Sequence, residues 1–368
     1  MPLKKPTVFI VCPGLGRINR GYESFAHECF DVLKDCRAFR LYLLKGGGKQ
    51  NEREVTLFNL HRNAKVTKWL AMLFKKQPYY LEQVSFLLAL LPLIVIKRPA
   101  LIYYSDYMLG SYLWHLRKRL KFSYKLLFAN GAPNGPPYKT EDHVQQLLPV
   151  YHSIGIKCDG DSKHTCLPYG FNIDIAKRIK NIQQKGIIRK QWGFNPGQKI
   201  VLSVGAVNMQ HKRMDYLINE IALLDKSWFL IIIGQYDDET PAVMKLAEKK
   251  LPGRHFIKNV KHGEVFSYYI AADYFVLASL IEGFGRATIE ALSYGLPCIV
   301  HDYIVQRQLL KEYGFYIDMR FEGLLMQCLS EPRPIMHYKT KAIKFVHDGY
   351  SWESLKARYE QMIISLLK

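Results

Sequence analysis

The chain has 368 residues, 49% of them hydrophobic and 13% aromatic, which excludes a disordered protein and points to two domains of about 170 to 190 residues rather than one core. Its net charge of +20 lies mostly in the first half, where residues 1–170 hold 25 lysines and arginines against 12 acids. Seven scattered cysteines without a C-x-x-C pair exclude a disulfide framework and point to a reducing compartment.

Met1 to Lys5 leads straight into the apolar run Val8–Val11, so a strand rather than a signal peptide is expected at the start. Gly14-Leu15-Gly16 and then Arg20-Gly21 follow that strand and open a helix over Tyr22–Leu33. Taken alone, a Gly-x-Gly here suggests a dinucleotide fold and a nicotinamide enzyme. Against that, the third glycine is off the dinucleotide spacing, and the next strand, Arg40–Leu44, runs into Lys45 and three glycines rather than an acid. Further strands are predicted over Leu101–Tyr104 and Tyr124–Ala129, with Asp106 and Asn130 just past their ends.

The longest apolar run, Val84–Ile96, is about 13 residues and contains Pro92, short of the ~20 needed to cross a bilayer. A core helix broken at the proline is expected. Basic clusters at Lys75-Lys76, Lys97-Arg98 and Arg117-Lys118-Arg119-x-Lys121 adjoin Tyr112, Leu113 and Trp114. They suit either an anionic membrane surface or a solvated helix face. No helix-turn-helix, finger or aromatic ribonucleoprotein motif accompanies the charge, so nucleic acid is not an expected partner. Cys158, His164 and Cys166 lack regular metal-site spacing, and Asp159-Gly160-Asp161 reads as a polar turn; no metal is expected.

The second half repeats the α/β theme, with strands predicted over Ile200–Val204, Phe229–Ile233, His255–Ile257, Phe275–Ala278 and Cys298–Val300. Candidate ligand contacts follow the strands: Gly205, then Lys212 and Arg213; Gly234; Val260; and the loop Glu282-Gly283-Phe284-Gly285. That loop opens a helix near Arg286, aiming the helix's positive end at an anion, and Gly283 and Gly285 let backbone N–H groups approach it. Glu282 before the loop and Glu290 within the helix can each accept paired hydrogen bonds from vicinal diols, one on a sugar ring and one on a ribose.

The order of Val201–Gly205, Lys212–Ile218, the Glu-x7-Glu loop with Ala291-Leu292, and Gly295-Leu296-Pro297 before an apolar strand resembles family 4 retaining glycosyltransferases. The resemblance spans most of the chain and is densest over residues 200–300. It implies the GT-B fold: two Rossmann-like doubly wound domains facing a central cleft, an acceptor-side domain over 1–170, a nucleotide-sugar-binding domain over 171–345, and a helix over 346–368 that packs back on the first domain. The implied reaction moves a hexose from a nucleoside-diphosphate sugar to a hydroxyl of a glycan, a lipid-linked glycan or a small acceptor, with retention and without a metal or resident cofactor. Lys212 takes the diphosphate charge and Glu282 the sugar. Gly16 contacts donor phosphate or acceptor, and Asp106 and Asn130 line the acceptor side. A cytoplasmic enzyme, peripheral on the inner face of the membrane where anionic lipid recruits it, is the expectation.

Two departures stand out. Many family members carry an arginine where this chain has Ala206, leaving Arg213, Arg286, Arg17 or Arg20 to assist Lys212, and Asn130-Gly131 stands where a histidine is common. A non-catalytic sugar-nucleotide or glycan-binding protein of the same fold is the alternative.

Overall fold

Runs such as Val8-Phe9-Ile10-Val11, apolar without alternation, suit strands covered on both faces, and they form two all-parallel sheets. The computed structural model describes residues 5–18, 20–132, 134–331 and 336–368. The strands are β1 Thr7–Cys12, β2 Arg40–Lys45, β3 Glu54–Thr56, β4 Leu101–Tyr104, β5 Lys125–Asn130, β6 His143–Gln146, β7 His164–Cys166, β8 Lys199–Val204, β9 Trp228–Ile233, β10 His255–Lys258, β11 Tyr274–Leu277, β12 Cys298–His301 and β13 Gly314–Ile317. Sheet orders are β3-β2-β1-β4-β5-β6-β7 and β10-β9-β8-β11-β12-β13. In each, the chain reverses its direction of travel between two central strands: β1 and β4 in the first sheet, β8 and β11 in the second. Loops leaving the carboxyl ends of such a pair diverge and leave room for a ligand.

Compact units follow the sheets. The first runs to Asn172 and takes in the terminal residues Trp352–Lys368; the second is Ile173–Ser351. Residues 346–351 therefore stay with the second unit, at the end of the helix Met336–Tyr350, and only the helix Trp352–Leu367 belongs to the first. Its anchor is aromatic. Trp352 stacks with Phe25 at 6.0 Å, Tyr359 donates to the Pro168 carbonyl at 2.7 Å, and a Cβ on Gly170 would run into the Trp352 ring.

β3, β6, β7 and β13 are absent from the sequence expectation, which sought apolar runs. β6 is His-Val-Gln-Gln, yet all four residues are buried. Its Gln145 amide donates to the Leu167 carbonyl and the Tyr359 hydroxyl, both at 2.7 Å, while its oxygen accepts from Tyr103, so a polar strand sits in a core because its partners do too.

Pro92 does not break its helix. The helix runs unbroken over Pro78–Lys97, is long and apolar enough to cross a membrane by length and composition, and corrects the shorter run read from sequence. Phe86, Leu90 and Ile94 recur every fourth residue and are buried, each contributing roughly 1.5–3 kcal/mol. Together they outweigh the ~3 kcal/mol penalty of a proline whose ring lies on the exposed side. The same helix buries Glu82 in an ion pair with Arg62.

Candidate functional site

β8 ends in Ser203-Val204, and Gly205 follows. A Cβ on Gly234, past β9, would fall on the Gly205 carbonyl oxygen, so the two loops touch backbone to backbone and admit no side chain. The Lys212 stem crosses Gly205, with Cδ and Cε at 3.1 Å from where a Cβ would stand. Asn208 holds the return of the loop: its carboxamide oxygen accepts from Lys212 N–H at 2.8 Å and its carbonyl from Met214 N–H at 3.0 Å.

The facing loop leaves β11 and carries Glu282. Tyr303, at the start of the helix Ile304–Leu310, holds it at the backbone: Glu282 N–H donates to the Tyr303 hydroxyl at 2.5 Å and that hydroxyl donates to the Glu282 carbonyl at 3.0 Å. Glu282 forms an ion pair with Lys212, 70 residues earlier, with 10% and 15% of their side chains exposed. The switch point of the second sheet thus presents one cation and one carboxylate as a matched pair.

Gly285 has φ +87°, a left-handed conformation that glycine adopts without strain, and the helix Arg286–Ser293 starts there with no side-chain cap. Its first N–H groups are the kind that receive an anion. Glu290 stands one turn in. Its carboxylate accepts from the Tyr269 hydroxyl at 3.1 Å and lies 3.8 Å from the Arg286 guanidinium. Burial, and then the Glu290 charge, push the Tyr269 phenol well up, so it remains a donor. Tyr269 stacks on Tyr294, which carries the Arg178 guanidinium 4.0 Å over its ring. Beneath the loop, the hydroxyls of Ser279 and Thr288 and both polar atoms of the Gln306 carboxamide are buried without a hydrogen-bond partner.

Several sequence candidates lie elsewhere. Arg213 is turned away from Lys212: it sits at φ +51°, donates to the Met319 carbonyl at 2.5 Å and lies 4.6 Å over the Tyr216 ring. Arg286 is buried beside Glu290, and Phe284 is buried edge-on to Tyr350. Val260, half-buried, follows the edge strand β10, two strands from β8. Lys212 thus pairs with Glu282, while Arg213 donates to the Met319 carbonyl and Arg286 lies beside Glu290.

In the first unit, Gly16 has φ +86°, and a Cβ there would strike the Gly47 backbone, so the loop after β1 is packed onto the loop after β2. β2 ends in Lys45, buried and ion-paired with Glu54 of β3, at the place where a nicotinamide-binding fold needs an acid for the ribose. Asp106, after β4, is half-buried and accepts from Tyr79; burial first, and then Asp106, push that phenol up and keep it protonated. Asn130 is a correction. It is 1% exposed, and its amide donates to the Asn134 carbonyl at 3.0 Å and to Tyr138 and Gln146 at 2.9 Å. Such a residue braces the end of β5 rather than lining a surface. Asp159 is likewise engaged, accepting from Tyr138 N–H at 3.0 Å beside His164.

Tyr303 and Tyr269 have no signal in the sequence, where each sits in an ordinary helical or strand-end context; nothing local marks a residue that bonds to one 21 positions away.

Comparison with known proteins bears on the same region. Residues 184–360 match the family model described as Glycosyl transferases group 1. "Glycosyltransferase 1 domain-containing protein 1" of Xenopus tropicalis is 26% identical over 145 residues, 38% of this chain and 41% of that protein. The chain spans about two fifths or less of the length of the curated relatives it matches. Sucrose-phosphate synthase of Thermosynechococcus elongatus superposes with a TM-score of 0.75 at 15% identity, covering 98% of this chain and 99% of that one. Anabaena HepE, solved with UDP and glucose, superposes with a TM-score of 0.73 at 14% identity over 98% and 100%. The fold is GT-B, with two parallel-sheet Rossmann-like domains, and the matched family region contains Lys212, Glu282 and Glu290.

Proposed function

We propose that the protein is a retaining hexosyltransferase that takes its sugar from a nucleoside diphosphate and delivers it to a hydroxyl of a glycan, a lipid-linked glycan or a small acceptor. The observation that carries this is the Lys212–Glu282 ion pair at the switch point of the second sheet, beside an uncapped helix start and with Glu290 one turn further on. The family match over residues 184–360 and the UDP and glucose of the HepE structure support it. They make UDP-glucose the first donor to try.

In this reading the helix start at Arg286 and Lys212 receive the diphosphate. Glu282 takes hydroxyls of the hexose and Glu290 those of the ribose, with Tyr269 orienting the second carboxylate. Donor binding exchanges the Lys212–Glu282 pair for two charge-assisted contacts, lysine to phosphate and glutamate to sugar. The bond from the anomeric carbon to phosphate oxygen breaks and the bond to the acceptor oxygen forms on the same face. The acceptor proton passes to the departing phosphate, so no protein nucleophile is needed. Lys212 is then a preorganised cation aimed at charge that develops during departure, and catalysis is electrostatic and positional. Asp106, free to accept at its second oxygen, is the acceptor-side carboxylate. No resident cofactor or metal enters this scheme. A donor-hydrolysis screen over common nucleotide sugars, run with and without chelator, tests it: turnover with one donor that survives chelation is expected. Binding of a nucleoside diphosphate without turnover of any donor would make the protein a sugar-nucleotide-binding module instead.

A further inference from the structure

The helix Lys65–Leu73 carries its large apolar side chains away from the core. Only two small residues, Thr67 and Ala71, spaced i and i+4, are buried, and the helix packs against the helix Pro78–Lys97. At 3.6 residues per turn the direction opposite those two is that of Trp69, with Val66, Leu73 and Met72 within the same exposed arc. Trp69 is 58% exposed, Met72 74%, Leu73 62% and the following Phe74 59%. A helix that serves its own core does the reverse, turning its large residues inward. The surrounding charge has one sign. Lys65, Lys68, Lys75 and Lys76 are all exposed, and no Asp or Glu occurs between Glu54 and Glu82.

We propose that residues 65–76 dock the protein on an anionic lipid surface, the helix lying in the plane of the interface. Val66, Trp69, Met72, Leu73 and Phe74 would enter the boundary between headgroups and acyl chains, and the lysines would meet lipid phosphates. Charge selects this occupant: a second copy would bring the same lysines of a +20 chain against themselves, whereas a phosphate surface neutralises them. An indole suits that depth, with an apolar ring and one polar N–H. The alternative basic stretch after Trp114 is less available, since Arg117 is bound to Asp142 and the Tyr124 carbonyl, and Lys118 lies 3.8 Å over the Trp114 ring.

The test uses the full chain and vesicles of phosphatidylcholine alone or mixed with phosphatidylglycerol. Sedimentation should show at least about tenfold stronger partition onto the anionic vesicles, falling as salt rises. Trp69→Ser with Leu73→Ser should lower it by about tenfold or more at an unchanged unfolding temperature, because both side chains are exposed. Glutamine at the four lysines should reduce anionic binding to the neutral level. The proposal is overturned if the double serine variant pellets like the parent, or if neutral and anionic vesicles bind alike. It is also overturned if neither vesicle binds and the same variant instead turns a dimer into a monomer. No residue of the segment belongs to the proposed donor site, so vesicle binding and sugar transfer fail independently.

Discussion

The two sheets share one parallel plan, with the strand order reversing at the centre of each, but they arm that point differently. In the second sheet the loops after β8 and β11 deliver Lys212 and Glu282 as a pair. In the first sheet the loop after β1 is a glycine turn packed on Gly47, the loop after β4 offers Asp106 already bound by Tyr79, and Asn130 after β5 is drawn into the interior. Topology therefore decides where a ligand can sit, and a handful of loop side chains decide whether there is chemistry for it. The first switch point carries a carboxylate held by a tyrosine; the second carries a lysine and a glutamate paired with each other.

The largest effect should come from removing the cation. Lys212→Ala is expected to cost ~2–4 kcal/mol in transition-state stabilisation, read as kcat/KM in a transfer assay with the best donor. Asp106→Asn should cost less and spare donor hydrolysis, because in the proposed function it meets the acceptor only. An equal loss in both variants would erase the distinction between the two switch points.

Asn130→Ala tests whether that residue braces β5 or serves a ligand. It strips one amide from three acceptors in a buried network, so it should lower unfolding free energy by about 1–3 kcal/mol in urea melts while donor hydrolysis by folded protein changes little. A loss of turnover without a loss of stability would restore Asn130 to the site.

Within the second sheet the two glutamates should separate. Glu290→Gln is expected to weaken binding of the bare nucleoside diphosphate by ~1–2 kcal/mol in calorimetry, since ribose is common to donor and product. Glu282→Gln should leave that affinity nearly intact and lower kcat, its partner being the sugar that departs. The reverse pattern would exchange their roles.

A pH effect distinguishes the first sheet by stability alone. Burial chiefly, helped by His164, pulls His143 on β6 down from 6.5 to about 4. The unfolded chain thus takes up a proton near pH 6.5 that the folded chain refuses, so the stability is present above that value and is lost as pH falls towards 4. His143→Gln should flatten urea-derived stability over that interval; an unaltered slope would place the acid sensitivity elsewhere.

Much of this was legible beforehand. Central strands β1, β4, β5, β8, β9, β11 and β12 announce themselves as apolar runs, because a strand covered on both faces has no polar side to show. The loop from Glu282 to Glu290 stands out for the same local reason: two acids, two glycines and a helix start lie within nine residues. What the sequence by itself determined is therefore whatever depends on near neighbours, namely the central strands, the glycine loops and the identity of Lys212, Glu282 and Glu290 as chemically able residues. Tertiary structure alone decided the rest. Lys212 meets Glu282 across 70 residues, while Arg213 beside it turns to Met319; Tyr303 reaches back, and Tyr269 forward, 21 residues to hold the two glutamates. The polar strand β6 is buried because Gln145 finds Tyr359 214 positions away, and the helix Pro78–Lys97 continues through Pro92 because its inner face is packed. Each of these outcomes rests on sheet register and helix packing that bring distant side chains within bonding range, and no local pattern encodes such distances.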